Sequence, residues 1–318
     1  MAQPYIDTTG LTYCGKEARE IFAKDVYDID LRSYGISMMD NVKSKRKIYL
    51  GNMDEAFQAY SCSFTPDGKV KLSEDFIEPV AIKVNKEACF DEFWDNWLVE
   101  STSISLDGNI PPEFFDWYFT KLRDEMKKEY QEIFWQGNVD HTGATKGYLA
   151  VTNGVQALLN ANENVTKIDG ANFTVDNILA QVEAAIQKSM EVAAEQDTVT
   201  DGYKVFMNHS DIQLLKMALG KLCCGNSMSD RFSNYAKEGE RVFIYGVEIV
   251  PTMQGRNTII VGPAKNLVLG FDTFSSSTEY KIIDMRNTTG DNMFRVIALS
   301  NIAVGVAWPE LFVYSRPE

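Results

Sequence analysis

Apolar residues along this chain recur at two spacings, one that suits helices and one that suits strands. The longest helical run is Pro111 to Trp135, where Phe115, Phe119, Leu122, Met126, Tyr130 and Ile133 step by threes and fours along one face. Charged residues such as Arg123, Asp124, Lys127 and Lys128 hold the other face. Pro111 and Pro112 suit a first turn, where a missing amide proton costs nothing, and Gly137 supplies the stop. A helix of that length spans roughly 40 Å. A second stripe, Phe90, Phe93, Trp94, Trp97 and Leu98, predicts a helix just before it that needs a packing partner. A third helix is predicted from about Val175 to Glu195, with Ile178, Val182, Ile186 and Met190 inward and Thr174 as its cap. Shorter helices are expected over GKEAREIFAKDVYDIDLRSYG, on Ala18, Ile21, Phe22 and Val26, and over SDIQLLKMALG, with Ser210 or Asp211 near the cap and Gly220 at the end.

Between these runs the period changes to two, or the apolar residues become continuous. FQAYSCSF and KVKLSEDF flank Thr65-Pro66-Asp67-Gly68, a turn sequence that predicts a hairpin. In its second strand Val70 and Leu72 alternate with Lys69, Lys71 and Ser73. Two strands alone are marginally stable, so this hairpin is expected to lie on something, a neighbouring subunit included. YKVFMN (Tyr203 to Asn208) reads as a buried strand. The final third is the richest in strands: RVFIYGVEIVP (Arg241 to Pro251), NTIIVGPAKNLVLGFD (Asn257 to Asp272) and MFRVIALSNIAVGVAWPELFVY (Met293 to Tyr314).

Composition narrows the classes. The 318 residues exceed what one core usually serves, and 45% hydrophobic content is ample for burial, so two or more subdomains are expected. Lys and Arg number 31 against 45 acids, a formal charge of −14. So acidic a surface disfavours broad contact with nucleic-acid phosphates and keeps a free subunit soluble. The basic run Lys43, Lys45, Arg46 and Lys47 stands out against it; a solvated charge run is the plain reading, pairing with acids of a neighbour the functional one. The start lacks a basic-then-apolar leader, and no apolar run reaches the ~20 residues of a membrane helix. The five cysteines (Cys14, Cys62, Cys89, Cys223, Cys224) lack CxxC spacing and read as reduced thiols.

Chemical motifs are weak. Gly10-Leu-Thr-Tyr-Cys-Gly15-Lys16 fits the spacing of a phosphate-binding loop, but Glu17 stands where a metal-binding hydroxyl is required, and no buried strand precedes it. His209-Ser210-Asp211 has the residue types of a catalytic triad, but three consecutive residues cannot converge on one another, so a helix cap is expected there. With two histidines, His141 and His209, and no HExxH, metal ligation by histidine is not expected. Vicinal Cys223-Cys224 reads as a pair of bystander thiols at a helix end. No catalytic, cofactor-binding or metal-binding residue is expected, and no cofactor.

The order of elements resembles a known family. A hairpin, then a long helix ending in EIFWQGN, then GYL (Gly147 to Leu149), YKVFMNHSDIQLLK, YGVEIVP, NTIIVGPAKNLVLGFD and the closing MFRVIALSNIAVGVAWPELFVY are similar to the major capsid proteins of tailed bacteriophages. The resemblance covers nearly the whole chain, strongest from Pro111 onward and weakest before Lys43. It implies an α+β protein of the Hong Kong 97-like fold. Residues 1–47 would be an N-terminal arm and 48–86 an extended β-hairpin loop lying over the adjacent subunit. Residues 87–146 would be a peripheral domain with a spine helix at 111–136, 147–275 an apical domain, 276–299 return strands of the peripheral domain and 300–318 a closing strand of the apical domain. The implied role is structural: hexamers and pentamers of an icosahedral virion capsid, assembled in the host cytoplasm around double-stranded DNA held by confinement. The implied partners are other copies of the chain, a separate scaffolding protein, a portal and decoration proteins, with no membrane. Some members join subunits by a Lys–Asn isopeptide bond; Lys69 and Lys71 lie by the hairpin turn, but nothing identifies the asparagine or the catalytic acid. An encapsulin-like bacterial nanocompartment shell, enclosing a cargo enzyme, is the alternative within the same fold. A cytoplasmic nucleotide-dependent enzyme is the remote one, resting on Gly10 to Lys16 alone.

Overall fold

Thirteen strands and four α-helices occur among the described residues of the computed structural model, which are 31–53, 70–89, 112–221, 242–271 and 280–317. In chain order they are β1 (Ser37–Met39), β2 (Arg46–Met53), β3 (Val70–Ile77), β4 (Val80–Cys89), α1 (Pro112–Gln136), α2 (Val155–Ala161), β5 (Thr166–Gly170), α3 (Ile178–Glu195), β6 (Tyr203–Asn208) and α4 (His209–Lys221). Then follow β7 (Val242–Ile244), β8 (Val247–Thr252), β9 (Ile259–Pro263), β10 (Leu267–Phe271), β11 (Tyr280–Asp284), β12 (Met293–Val306) and β13 (Val313–Pro317). The fold is mixed α and β, and it divides into two compact units. Among the described residues the smaller unit holds 81–89, 112–130 and 280–301, and the larger holds 31–53, 70–80, 131–221, 242–271 and 302–317.

The larger unit is built on a six-stranded sheet in the order β5-β13-β9-β6-β8-β7. β6 runs parallel to β8 and antiparallel to β9, and β13 bridges parallel β5 to antiparallel β9. β7 and β8 form a tight hairpin: Ile244 faces Val247 across Tyr245-Gly246, both at positive φ (51° and 80°), the primed-turn geometry that matches strand twist. Alternation decides the faces. Tyr203, Val205 and Met207 point with Ile249, Ile259, Val261 and Val313 into one core, which α3 and α4 cover with Ile178, Val182, Ile186, Ile212 and Leu215. Phe206 points the other way, onto Trp135, whose ring lies 5.3 Å from it, with Phe134 edge-on behind. Each of these large side chains contributes roughly 1.5–3 kcal/mol by leaving water.

Helix α3 corrects two expectations. It begins at Ile178, not Val175: residues 175–177 form a turn that leads into it, in which the Asn177 side chain accepts the Thr174 amide and the Thr174 carbonyl accepts the Asn177 and Ile178 amides. Met190 lies on the exposed side, 43% accessible, while Ala185, Ser189, Val192 and Ala193 face the core. Each i+4 step overshoots a full turn by about 40°, so three steps from Ile178 carry residue 190 off the buried face.

Helix α1 follows its expected range to within a residue. Its last turn is not amphipathic: Gln131, Glu132, Ile133, Phe134 and Trp135 are all buried. Gly137 and Gly154 end it in close contact, Gly154 donating its amide to the Gly137 carbonyl at 2.8 Å, and a Cβ on Gly154 would stand 2.5 Å from the Ile133 carbonyl oxygen. Also in the larger unit, β1 runs parallel to β10 in the register Ser37↔Val268, and β10 pairs antiparallel with the end of β12, from Leu267↔Val306 to Phe271↔Ile302.

In the smaller unit, the first part of β12 pairs antiparallel with β11, from Tyr280↔Ala298 to Asp284↔Phe294, and also pairs with β4. Tyr118 sets its ring edge-on to buried Phe294 at 5.3 Å, and Arg295 forms an ion pair with Glu87. Asp284 caps the short turn after β11, accepting the Arg286 amide at 3.0 Å and its guanidinium at 2.7 Å. Those bonds hold its carboxyl below the usual aspartate range. The strand expected to end near Leu299 runs on without a break to Val306.

Candidate assembly surfaces

The β2–β3 hairpin has two unlike faces. Its register runs from Arg46↔Ile77 to Met53↔Val70. The first strand is therefore Arg46–Met53, while the FQAYSCSF segment and the Pro-Asp-Gly turn expected to close the hairpin lie outside the described residues. Side chains alternate across the ribbon. On the inner face Ile48 and Ile77 are buried, with Leu50 half-buried, against Val42, Val268 and Ala303. Gly305 makes this seat possible, because a Cβ there would fall 2.5 Å from a methyl carbon of Ile77.

The outer face carries Lys47, Tyr49, Leu72, Glu74 and Phe76. Leu72 is 72% exposed and Tyr49 69%, so apolar surface stands uncovered on a two-stranded ribbon. Part of the basic run converges there: Lys45 and Lys47 place their ammonium groups 4.8 and 5.8 Å from the Phe76 ring centre, and Lys47 meets Glu74 at 2.5 Å. Such exposed pairs contribute little to stability, ~0–1 kcal/mol. Arg46 points to the inner side and donates to the Asp40 carbonyl. The run is thus a strand with its charges distributed over both faces.

A second surface lies at the end of α3. From Ser189 to Gly202 the chain has four acids, Glu191, Glu195, Asp197 and Asp201, and no base. All four are exposed, as are Met190 and Val199 in the same stretch. Lys188, one turn earlier, pairs with Glu191 at 2.9 Å.

A buried polar joint ties the larger unit together. Gln254, fully buried, donates through Nε2 to the Phe206 and Thr258 carbonyls at 3.1 and 2.7 Å. Gln156 of α2 holds the same loop through the Thr258 hydroxyl (2.9 Å) and the Gly255 amide (3.2 Å), and Gln136 of α1 donates to the Met253 carbonyl. Asp211, buried in the first turn of α4, accepts the Asn257 amide at 2.8 Å and the Arg256 guanidinium at 3.4 Å, while Asn257 accepts the Phe173 amide. Burial pushes the Asp211 carboxyl up, and the Asn257 and Arg256 contacts only partly offset it. The loop 252–258 is therefore fixed by side chains from three helices.

The structure separates the motifs that looked chemical. His209, Ser210 and Asp211 follow one another in the first turn of α4, and Asp211 serves the joint while Asn208 accepts the Ser210 amide. The expected cap at Ser210 or Asp211 is thus replaced by Asn208. His141 contacts the Thr145 carbonyl at 3.2 Å. Gly10 to Lys16, Lys69, the apolar stripes of the helices predicted on Ala18 to Val26 and on Phe90 to Leu98, and Cys14, Cys62, Cys223 and Cys224 lie outside the described residues, and of Lys71 only the backbone, paired with Asn52, is described. Among the described residues no group of three or more His, Cys, Asp or Glu could hold a metal ion, and no helix is long and apolar enough to cross a membrane.

No family model matches the sequence, and no curated protein matches it. Solved structures do match in fold. A chain of the capsid of Myoviridae phage XM1 is 13% identical, with a TM-score of 0.58 over 98% of this chain and 99% of that one. A chain from Gordonia phage Cozz is 10% identical, with a TM-score of 0.58 over 94% and 90%. A chain of the capsid of a native GTA particle is 9% identical, with a TM-score of 0.52 over 100% and 95%. The chain shares the fold of these phage and GTA particle chains.

Proposed function

We propose that this chain is a major capsid protein of the Hong Kong 97-like type, a subunit that assembles into hexamers and pentamers of an icosahedral shell around double-stranded DNA. The observation that carries the reading is the fold match across nearly the full length of both chains, with the XM1 capsid chain as its example. A shared core alone would leave one chain overhanging the other. The two faces of the β2–β3 hairpin support it: an arm that buries one side at home and leaves the other apolar gains stability by overlapping a neighbour.

The parts are assigned on the resemblance. Residues 1–47 form the N-terminal arm and 48–86 the extended loop. Residues 87–146 and 276–299 form the peripheral domain, with α1 as its spine, and 147–275 with 300–318 the apical domain. The six-stranded sheet, with β13 joining β9 to β5, supports placing the closing strand with the apical residues. Partners are further copies of the chain, a scaffolding protein, a portal and decoration proteins, in a shell assembled in the host cytoplasm. The net charge of −14 favours a lining that does not adhere to packaged DNA.

Electron microscopy of the purified full-length protein, alone and co-expressed with its neighbouring genes, tests the reading. Closed shells, or free hexamers and pentamers, are expected. A monodisperse monomer under all these conditions would overturn it, and shells filled with a protein cargo would point to a nanocompartment.

A further inference from the structure

The two exposed surfaces of the larger unit are complementary in charge and alike in carrying apolar residues. The hairpin offers Lys45 and Lys47 beside Tyr49, Leu72 and Phe76; the end of α3 offers Glu191, Glu195, Asp197 and Asp201 with Met190 and Val199. In a chain of charge −14 the hairpin face sets Lys45 and Lys47 against one acid, Glu74, while the α3 end has four acids over residues 189–202 and no base there, Lys188 before it pairing with Glu191. We propose that the outer face of the β2–β3 hairpin of one copy docks on the acidic, apolar end of α3 of the next copy, as the head-to-tail contact that closes the ring of subunits. This rests on the shell reading above and names the surfaces that reading leaves open.

Three physical points favour it. First, two different patches on one chain make a heterologous contact, and repetition of such a contact closes a ring when its rotation permits, whereas a self-complementary patch stops at a dimer. Second, both surfaces carry exposed apolar residues along with their charges, so docking removes Leu72, Tyr49, Met190 and Val199 from water. Third, the hairpin lysines are held in place beforehand by the Phe76 ring and Glu74, which lowers the ordering cost of binding. Charges of this kind steer encounter and fix register more than they add affinity, so the contact weakens with salt without vanishing.

The test uses assembled wild-type particles made from mixed light and 15N-labelled chains. Carbodiimide, which joins an ammonium to a carboxylate in direct contact, is added, and mass spectrometry identifies linked peptides between differently labelled chains. Cross-links from Lys43, Lys45 or Lys47 to Glu191, Glu195, Asp197 or Asp201 are expected. In parallel, Lys45→Glu with Lys47→Glu raises the protein concentration needed for assembly about tenfold, and adding Glu191→Lys with Glu195→Lys brings it back most of the way. Circular dichroism and the dispersed-subunit melting point confirm that the variants fold. Particles whose inter-subunit links from these lysines all lead elsewhere, or a reversal that leaves assembly unchanged, would overturn the contact and leave the shell reading standing. A wild-type protein that never assembles would overturn both.

Discussion

The six-stranded sheet and the β2–β3 hairpin are made from the same residue types, and they differ in what completes them. In the sheet, strands are covered on one face by α3 and α4 and on the other meet Trp135 and Phe134 of α1, and the loop at 252–258 has its polar groups bound by side chains from three helices. Among the described residues of the hairpin, Ile48, Leu50 and Ile77 find an apolar seat, and Tyr49, Leu72 and Phe76 face solvent. The sheet is finished by its own chain. On the proposed reading the hairpin is finished by a second molecule, and its cost to the free subunit is offset on assembly. That contrast places folding stability in one region and association in the other.

Mutations should split along the same line. Phe206→Ala empties a fully buried site beside Trp135 and is expected to lower folding stability by about 3–5 kcal/mol, read as a shift in the urea midpoint of dispersed subunits. The triple change Tyr49→Ser, Leu72→Ser and Phe76→Ser should leave that midpoint nearly untouched, roughly ±0.5 kcal/mol per exposed site, yet abolish particle formation in sedimentation. If both changes damaged folding equally, the division of labour would be wrong. Gly246→Ala, at φ 80° in the β7–β8 turn, should cost about 1 kcal/mol by the same urea titration, because a side chain is strained there.

The smallest effects are in pH. Asp211 has its carboxyl raised by burial, so between the ordinary aspartate pKa and the raised one the folded state holds the proton more tightly than the unfolded state. Its contribution is therefore most favourable at acid pH and declines as pH rises through that window, then levels. Asp284 has the opposite sign: held low by Arg286, it stabilises above the ordinary aspartate pKa, and the contribution is lost as pH falls through its lowered value. In urea midpoints measured across acid pH, Asp211→Asn should remove the first slope and Asp284→Asn the second, the latter about 1 kcal/mol or less because the pair is partly solvated.

Much of the fold was readable from spacing because helices and covered strands repeat a local rule. α1, β6, α4 and the strand-rich final third follow the apolar periods of their own residues. What spacing could not convey was contact over distance and charge over strand. Lys43 to Lys47 read as a solvated charge run, although Arg46 and Lys47 open a strand in which Ile48 and Leu50 alternate with Lys47 and Tyr49 as a half-covered strand does. Asp211 looked like a cap because caps are local, and its true partners, Arg256 and Asn257, stand 45 and 46 residues away. Gln254 carried no signal at all: a single glutamine becomes the centre of a joint only once three helices surround it. Met190 was misplaced by a rule that steps by four in a helix that turns by 3.6. The assembly surfaces were half legible, the basic run by its contrast with the chain and the acidic end of α3 only after the helix had a fixed phase.

The most direct measurement is hydrogen–deuterium exchange on dispersed subunits and on assembled particles of the same preparation. Amides of β2 and β3 should exchange quickly in the free subunit and become protected on assembly, while those of β6, β8 and β9 stay equally protected in both. Hairpin amides whose exchange does not change on assembly would contradict the account.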